Sequence, residues 1–248
     1  MDFYNIYRDY IASQLNQKPN TDLSNKCILQ CVFCQRQLVH QGEPAGREKV
    51  KLSQDMPLED FKKVINTFKG MNMCGQLSDP IYHPQFLNYL QIASDLNKHC
   101  NIHTNGSGKK KSFWKQAFAI PKPMFWIFGI DGLDQKTCNL HRIGQNFHQS
   151  FKAMLLGSKS HHKIIWQFIP FQHNEHQIDR AISIARKHNI QFLLLKSNRW
   201  RDNPIYVDNQ LVIPDWIRPP KDESLSEIGM HVKRELYVKG THTGDMKP

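Results

Sequence analysis

Three cysteines, Cys27, Cys31 and Cys34, stand in the spacing C-x3-C-x2-C. Thiolates are the usual ligands of iron–sulfur clusters, and a cubane offers four irons to them. Three thiolates leave one iron without a protein ligand, and an open position lets a metal bind a substrate directly. Zinc is the rival metal; it would need a fourth ligand, and His40 is the nearest candidate. A disulfide framework would spread its cysteines along a small secreted chain, so the crowding points to metal or redox chemistry. Cys74, Cys100 and Cys138 are scattered and read as ordinary buried thiols.

The elements that must position this motif follow from hydrophobic spacing. Leu58, Phe61, Val64, Ile65 and Phe68 fall on one helical face, with Pro57 in the first turn and Gly70 just past the end. Phe86, Leu87, Leu90 and Ala93 repeat the pattern, as do Phe147, Phe151, Met154 and Leu155, and then Ile178, Ala181, Ile182 and Ala185. Between these helices lie candidate strands at Met71–Cys74, Cys100–Thr104, Met124–Ile130, Lys163–Ile169 and Ile190–Leu195, and a further strand is expected to lead into Cys27. Several are apolar nearly throughout, as strands covered on both faces are. The alternation predicts an α/β fold with a parallel sheet of about six units. An open partial barrel and a doubly wound sheet both satisfy it. Residues 1–20 read as a helical lead-in, residues 21–200 as the core, and residues 201–248, broken by Pro204, Pro214, Pro219 and Pro220, as an irregular C-terminal extension.

The 248 residues suffice for one sizeable domain. The longest apolar run, near Met124–Phe128, falls far short of the ~20 residues of a membrane helix. The N-terminus lacks signal-peptide features, which places the protein in the cytoplasm. The net charge of +11 favours an anionic partner, although the cationic residues are dispersed and Lys109-Lys110-Lys111 also suits a solvated helix start. The 13 histidines form no HExxH or other zinc spacing.

Over residues 20–200 the sequence resembles the radical S-adenosylmethionine superfamily. Cys27 to Cys34, with Phe33 in the aromatic position, matches its C-x3-C-x-aromatic-C signature. Gly75-Gln76-Leu77-Ser78-Asp79-Pro80 resembles the Gly-Gly-Glu-Pro element, and His103-Thr104-Asn105-Gly106 resembles the Thr-Asn-Gly that ends the next strand. Gly129-Ile130-Asp131-Gly132 with His141-Arg142 resembles a Ser-Ile-Asp-Gly…Tyr-Arg element, with Gly129 where many relatives carry Ser. Trp166 to Ile169 and His173 to His176 resemble the following strand and its loop.

The resemblance implies a partial (β/α)6 TIM-like barrel with helices outside and the site at the strands' C-terminal ends. It implies a [4Fe–4S] cluster on Cys27, Cys31 and Cys34, whose fourth iron takes the amino and carboxylate groups of S-adenosylmethionine. Gly75 and Gln76 would present backbone groups to that amino group. Asn105 and Arg142 would hold the ribose and carboxylate region, and the backbone near Phe33 and Ile169 would flank the adenine. It also implies a flavodoxin- or ferredoxin-type electron donor. The likeness is to the peptide-modifying branch, but no cysteine follows Cys138 to build an auxiliary cluster.

An enzyme abstracting hydrogen from a peptide or protein side chain is thus the first expectation. The same chemistry on a nucleotide or nucleic acid is the second, and a non-catalytic iron–sulfur or zinc module the third. Glu175 and Lys196 are weak catalytic candidates, with His173, His176 and Arg199 beside them.

Overall fold

The computed structural model describes residues 18–32, 34, 36, 55–74, 77–195, 197, 206–207, 210–211, 218–222 and 225. Five strands form one sheet in chain order: β1 (Gly70–Met73), β2 (His99–Thr104), β3 (Phe125–Gly129), β4 (Lys163–Phe168) and β5 (Gln191–Leu194). All four neighbouring pairs are parallel. The sheet is an open partial barrel, with β1 and β5 at its edges. The sixth strand expected before Cys27 is reduced to one parallel bridge, Asn20 to Asn72, with Thr21 N–H donating to the Asn72 carbonyl at 2.9 Å. Residues 18–20 thus belong to this bridge rather than to a helix.

The expected helix faces are all present: α1 (Leu58–Thr67), α2 (Phe86–Asp95), α5 (Phe147–Gly157) and α6 (Ile178–Lys187). Two short helices, α3 (Lys111–Phe118) and α4 (Gln135–His141), complete the set that packs around the sheet. Asp134 caps α4 by accepting the Thr137 N–H at 2.8 Å, and Asn146 caps α5 by accepting that of Gln149 at 3.0 Å.

The period of two along the strands separates two layers. Met71, Ile102, Trp126, Trp166 and Phe192 point into the main core, shared with the helices. Ile127, Ile165 and Leu193 form a separate cluster on the other face, the concave one, with Phe125. The register sets Ile127 beside Ile165, and Gln167 beside Leu193. Below them Asn101 donates to Asn72 Oδ1 at 2.7 Å. Gly70 is required by a close approach: a Cβ there would lie 2.0 Å from the His99 carbonyl oxygen.

Of the C-terminal extension the structure describes a short antiparallel pair, β6 (Tyr206–Val207) with β7 (Gln210–Leu211), and a few residues from 218 onward. The helical lead-in expected over residues 1–17 lies outside the described residues. Among the described residues no helix is long and apolar enough to cross a membrane.

Candidate functional site

A cavity of about 170 Å³ opens where the strands end, and Cys27, Cys31 and Cys34 all line it. Two seams hold the cysteine segment there. Gln30 N–H donates to the Ile143 carbonyl at 2.9 Å, and Val32 N–H to that of His141 at 3.0 Å. On the other side Asp79 N–H donates to the Lys26 carbonyl at 3.0 Å. The motif is thus suspended between the end of α4 and the turn that follows β1.

Each seam is anchored by a buried aspartate. Asp131, after β3, accepts from Arg142 Nε at 2.7 Å, His141 Nδ1 at 2.8 Å and the Ile169 N–H at 2.9 Å. Burial pushes its carboxyl up, but Arg142 and these hydrogen bonds outweigh burial and hold it well below the usual carboxylate range. Asp79 accepts at Oδ2 from Asn105 N (2.7 Å), Asn105 Nδ2 (2.6 Å) and Thr104 Oγ1 (3.0 Å). Its Oδ1 takes the Ile81 N–H at 3.2 Å, which turns the chain at Pro80. Here burial wins, and the Asp79 carboxyl is raised to about 6.

Asn105 lines the cavity as expected. Its amide is already engaged: Nδ2 also reaches Cys27 Sγ at 3.8 Å, and Oδ1 accepts the Ser107 N–H at 2.8 Å. Arg142 lines the cavity too, and its Nε and Nη2 are the nitrogens bound to Asp131. Ile169 completes the wall. The expected cofactor contacts at Phe33, Gly75 and Gln76, and the candidates Lys196 and Arg199, lie outside the described residues. Glu175, His173 and His176 do not line the cavity. Glu175 instead accepts the Asp222 N–H at 3.2 Å, and His173 stacks on Phe171.

Other site residues were missed from the sequence. Asp79 stands in the element resembling Gly-Gly-Glu-Pro, but the sequence assigns no role to its carboxylate. Asn174 is fully buried and ties the loop after β4 to the Asp131 and Ile169 carbonyls at 2.9 and 3.0 Å. Cys74, expected to be an ordinary buried thiol, lines the same cavity as the motif cysteines, whereas Cys100 and Cys138 are core residues. His103 and Gln167 project into the cavity from β2 and β4, and among the described residues neither side chain has a hydrogen-bond partner. Burial lowers His103 to about 4, so its ring is neutral at neutral pH. Alternation along the strand predicts which way both point, but not that nothing answers them.

Gly129 stands where it must leave space for a distant side chain. A Cβ there would sit 2.6 Å from Arg142 Nη2, so the missing side chain makes room for the guanidinium. Gly129→Ser is therefore expected to push Arg142 off Asp131 and cost about 1–3 kcal/mol. Thermal unfolding checks this. Gly129→Ala should behave alike, because the obstacle is the Cβ and not the hydroxyl.

The thiols suit a thiophilic metal group. Cys27 is raised to about 12, first by burial, then by the negative charge of Asp79 and of Cys31 and Cys34. Three thiolates cannot share this pocket without a cation to offset them, and metal ligation supplies one. The Arg142 charge acts on Cys31 and the Asn105 amide reaches Cys27, so donors stand near two of the sulfurs, alongside the Asp79 carboxylate. Among the described residues no three His, Cys, Asp or Glu side chains form a group that could hold a metal ion. The fit thus rests on donor chemistry and the shared cavity.

No family model and no curated protein matches the chain. Its fold does match solved structures. Streptococcus suis SuiB bound to S-adenosylmethionine aligns with a TM-score of 0.58 and 16% identity over 78% of this chain and 42% of that one. SuiB bound to precursor peptide SuiA gives 0.57 and 16% over 71% and 38%. Methylornithine synthase (PylB) gives 0.52 and 11% over 88% and 58%. The chain therefore spans well under two thirds of these structures. The open parallel barrel of this chain is thus a fold it shares with these solved structures.

Proposed function

We propose that this chain is a radical S-adenosylmethionine enzyme with a [4Fe–4S] cluster on Cys27, Cys31 and Cys34. The observation that carries this reading is the lining of one strand-end cavity by all three motif cysteines together with Asn105, Arg142 and Ile169. The chemistry such a cluster supplies with S-adenosylmethionine is reductive cleavage to methionine and a 5′-deoxyadenosyl radical, which takes hydrogen from a substrate.

The protein's own residues position and shield this chemistry. Arg142 Nη1 makes no hydrogen bond to another described residue and is the donor available for the cofactor carboxylate. Asn105 reaches the ribose by exchanging one bond it now makes inside the protein. By the resemblance, Gly75 and Gln76 would present backbone groups to the amino group, and the backbone near Phe33 and Ile169 would flank the adenine. Ile127, backed by Ile165, forms part of the apolar floor, and His103 and Gln167 are left to meet the reacting molecule.

The substrate proposed is a peptide or protein side chain, supported by the similarity to SuiB with its bound precursor peptide. The net charge of +11 favours a nucleotide or nucleic acid instead. A steep fall of binding with salt distinguishes phosphate-driven association. A flavodoxin- or ferredoxin-type donor supplies the electron.

The test is anaerobic reconstitution with iron and sulfide, addition of S-adenosylmethionine and dithionite, and quantification of 5′-deoxyadenosine. Production that vanishes in Cys31→Ala is the expected result. Iron uptake without product points to a non-catalytic iron–sulfur module, and stoichiometric zinc without iron overturns the reading.

A further inference from the structure

A second cavity, of about 330 Å³, lies outside the barrel between α3 and α5. Four lysines line it, Lys109, Lys111, Lys152 and Lys159, and no acidic residue does. Elsewhere Lys26, Lys62 and Lys63 each pair with a carboxylate, but among the described residues none of these four does. Its inner surface is apolar, built from Trp114, Ala153, Leu155 and Leu156. Unpaired cations around an apolar floor are not needed for folding. They describe a surface that awaits an anionic, partly apolar occupant.

The placement of the lysines selects the occupant. Both helices connect consecutive parallel strands, so they run in the same direction. Gly108 N–H donates to Gln149 Oε1 at 2.9 Å, which sets their first turns level. Lys111 opens α3, Lys152 lies midway along α5 and Lys159 follows its C-terminal end, so the charges spread along most of the roughly 16 Å length of α5. A single phosphate or carboxylate head group cannot meet charges so dispersed. A peptide carrying several acidic residues can.

Nucleic acid is a poorer match. The cavity's only aromatic side chain, Trp114, is 2% exposed, and no arginine is present to stack on a base. Leu155 and Leu156 offer instead a seat for an aliphatic or aromatic anchor residue. At its upper end the groove meets the cofactor loop. Lys109 lies over the Tyr82 ring, 5.4 Å from its centre, and the Tyr82 hydroxyl donates to the Ser107 carbonyl at 2.9 Å, two residues after Asn105.

We propose that the α3–α5 groove is a docking site for an acidic peptide segment with an apolar anchor, separate from the radical chemistry. The inference stands on the groove alone, and its test needs no cluster.

The probe is a fluorescein-labelled synthetic peptide of alternating glutamate and leucine, titrated with the full-length protein and read by anisotropy. Lys152→Glu with Lys159→Glu is expected to weaken binding about tenfold or more, since like charges then face each other. Arg186→Glu with Lys187→Glu, on the exposed end of α6, changes the net charge equally and should leave affinity within about twofold. Equal weakening by both pairs would show mere attraction to a basic protein and overturn the proposal. So would displacement of the peptide by a single-stranded oligonucleotide of matched charge at equal concentration. Circular dichroism establishes that each variant is folded. If the reversal pair unfolds, Lys152→Gln with Lys159→Gln replaces it, with a threefold or greater loss expected and no loss overturning the assignment.

Discussion

Asp131→Ala is expected to lower the stability of the fold by about 3–5 kcal/mol, because it strands a buried guanidinium. Asp131 is fully buried and satisfies Arg142, His141 and the Ile169 N–H at once. The substitution leaves Arg142 charged with no counter-ion, and it loosens the seam that carries Gln30 and Val32. For a domain of this size the melting temperature should fall by roughly 10 °C. Asp131→Asn, which keeps an acceptor but no charge, should fall between. Arg142→Met with Asp131→Leu should recover much of the loss, since a buried ion pair contributes less than breaking it costs. Recovery of fold without recovery of S-adenosylmethionine binding would separate the structural duty of Arg142 from its proposed cofactor contact. The carboxyl is depressed in the folded state, so its contribution is complete above the ordinary carboxylate value. It is lost as pH falls through the depressed one, and urea midpoints should decline below about pH 4.

Asp79 gives the opposite slope. Its carboxyl rises from the ordinary 3.8 to about 6 in the folded protein. A raised acid favours folding while protonated, and that advantage disappears as pH climbs through the folded value. Two pH units correspond to about 3 kcal/mol at a fully buried position. Asp79→Asn cannot ionise, so it should remove this dependence. It keeps the three bonds now made to Oδ2 but sets an amide N–H₂ against the Ile81 N–H, at a cost of about 1–3 kcal/mol. The variant should be less stable than the parent at pH 4, and the difference should shrink or reverse by pH 7.5. Parallel urea curves at the two pH values decide it; an unchanged difference would mean that burial does not govern this carboxylate. The same substitution removes the anion beside Cys27, so Cys27 should react faster with iodoacetamide.

Local patterns carried much of this. The faces headed by Phe61, Leu90, Met154 and Ala181 produced the helices, and the apolar runs around Trp126 and Trp166 produced buried strands. Helix α4 has only seven residues, too short for periodicity to register. The cysteine motif stood out by its close spacing, and its three members line one cavity. The roles of Asp79 and Asp131 were not legible: both stand in the elements that carried the resemblance, but each is at a turn, beside Pro80 and Gly132, where an aspartate needs no further explanation. Their partners, Asn105 and Arg142, are distant in sequence and meet them only once the strands lie side by side. The role of Gly129 was hidden for a related reason, since its value lies in the space it yields to a distant side chain.

The hydrogen bonds from Gln30 and Val32 to the backbone of residues 141–143 have a consequence for biosynthesis. The cysteine segment leaves the ribosome early, yet the backbone that orders it is made on the order of 10 s later at ordinary elongation rates. Until then the three thiols sit on an unstructured nascent chain, open to oxidation and to stray metals. Loading of the proposed cluster would therefore belong to the period after the third strand and its helix have docked. A cell starved of iron during that period should accumulate folded but empty protein.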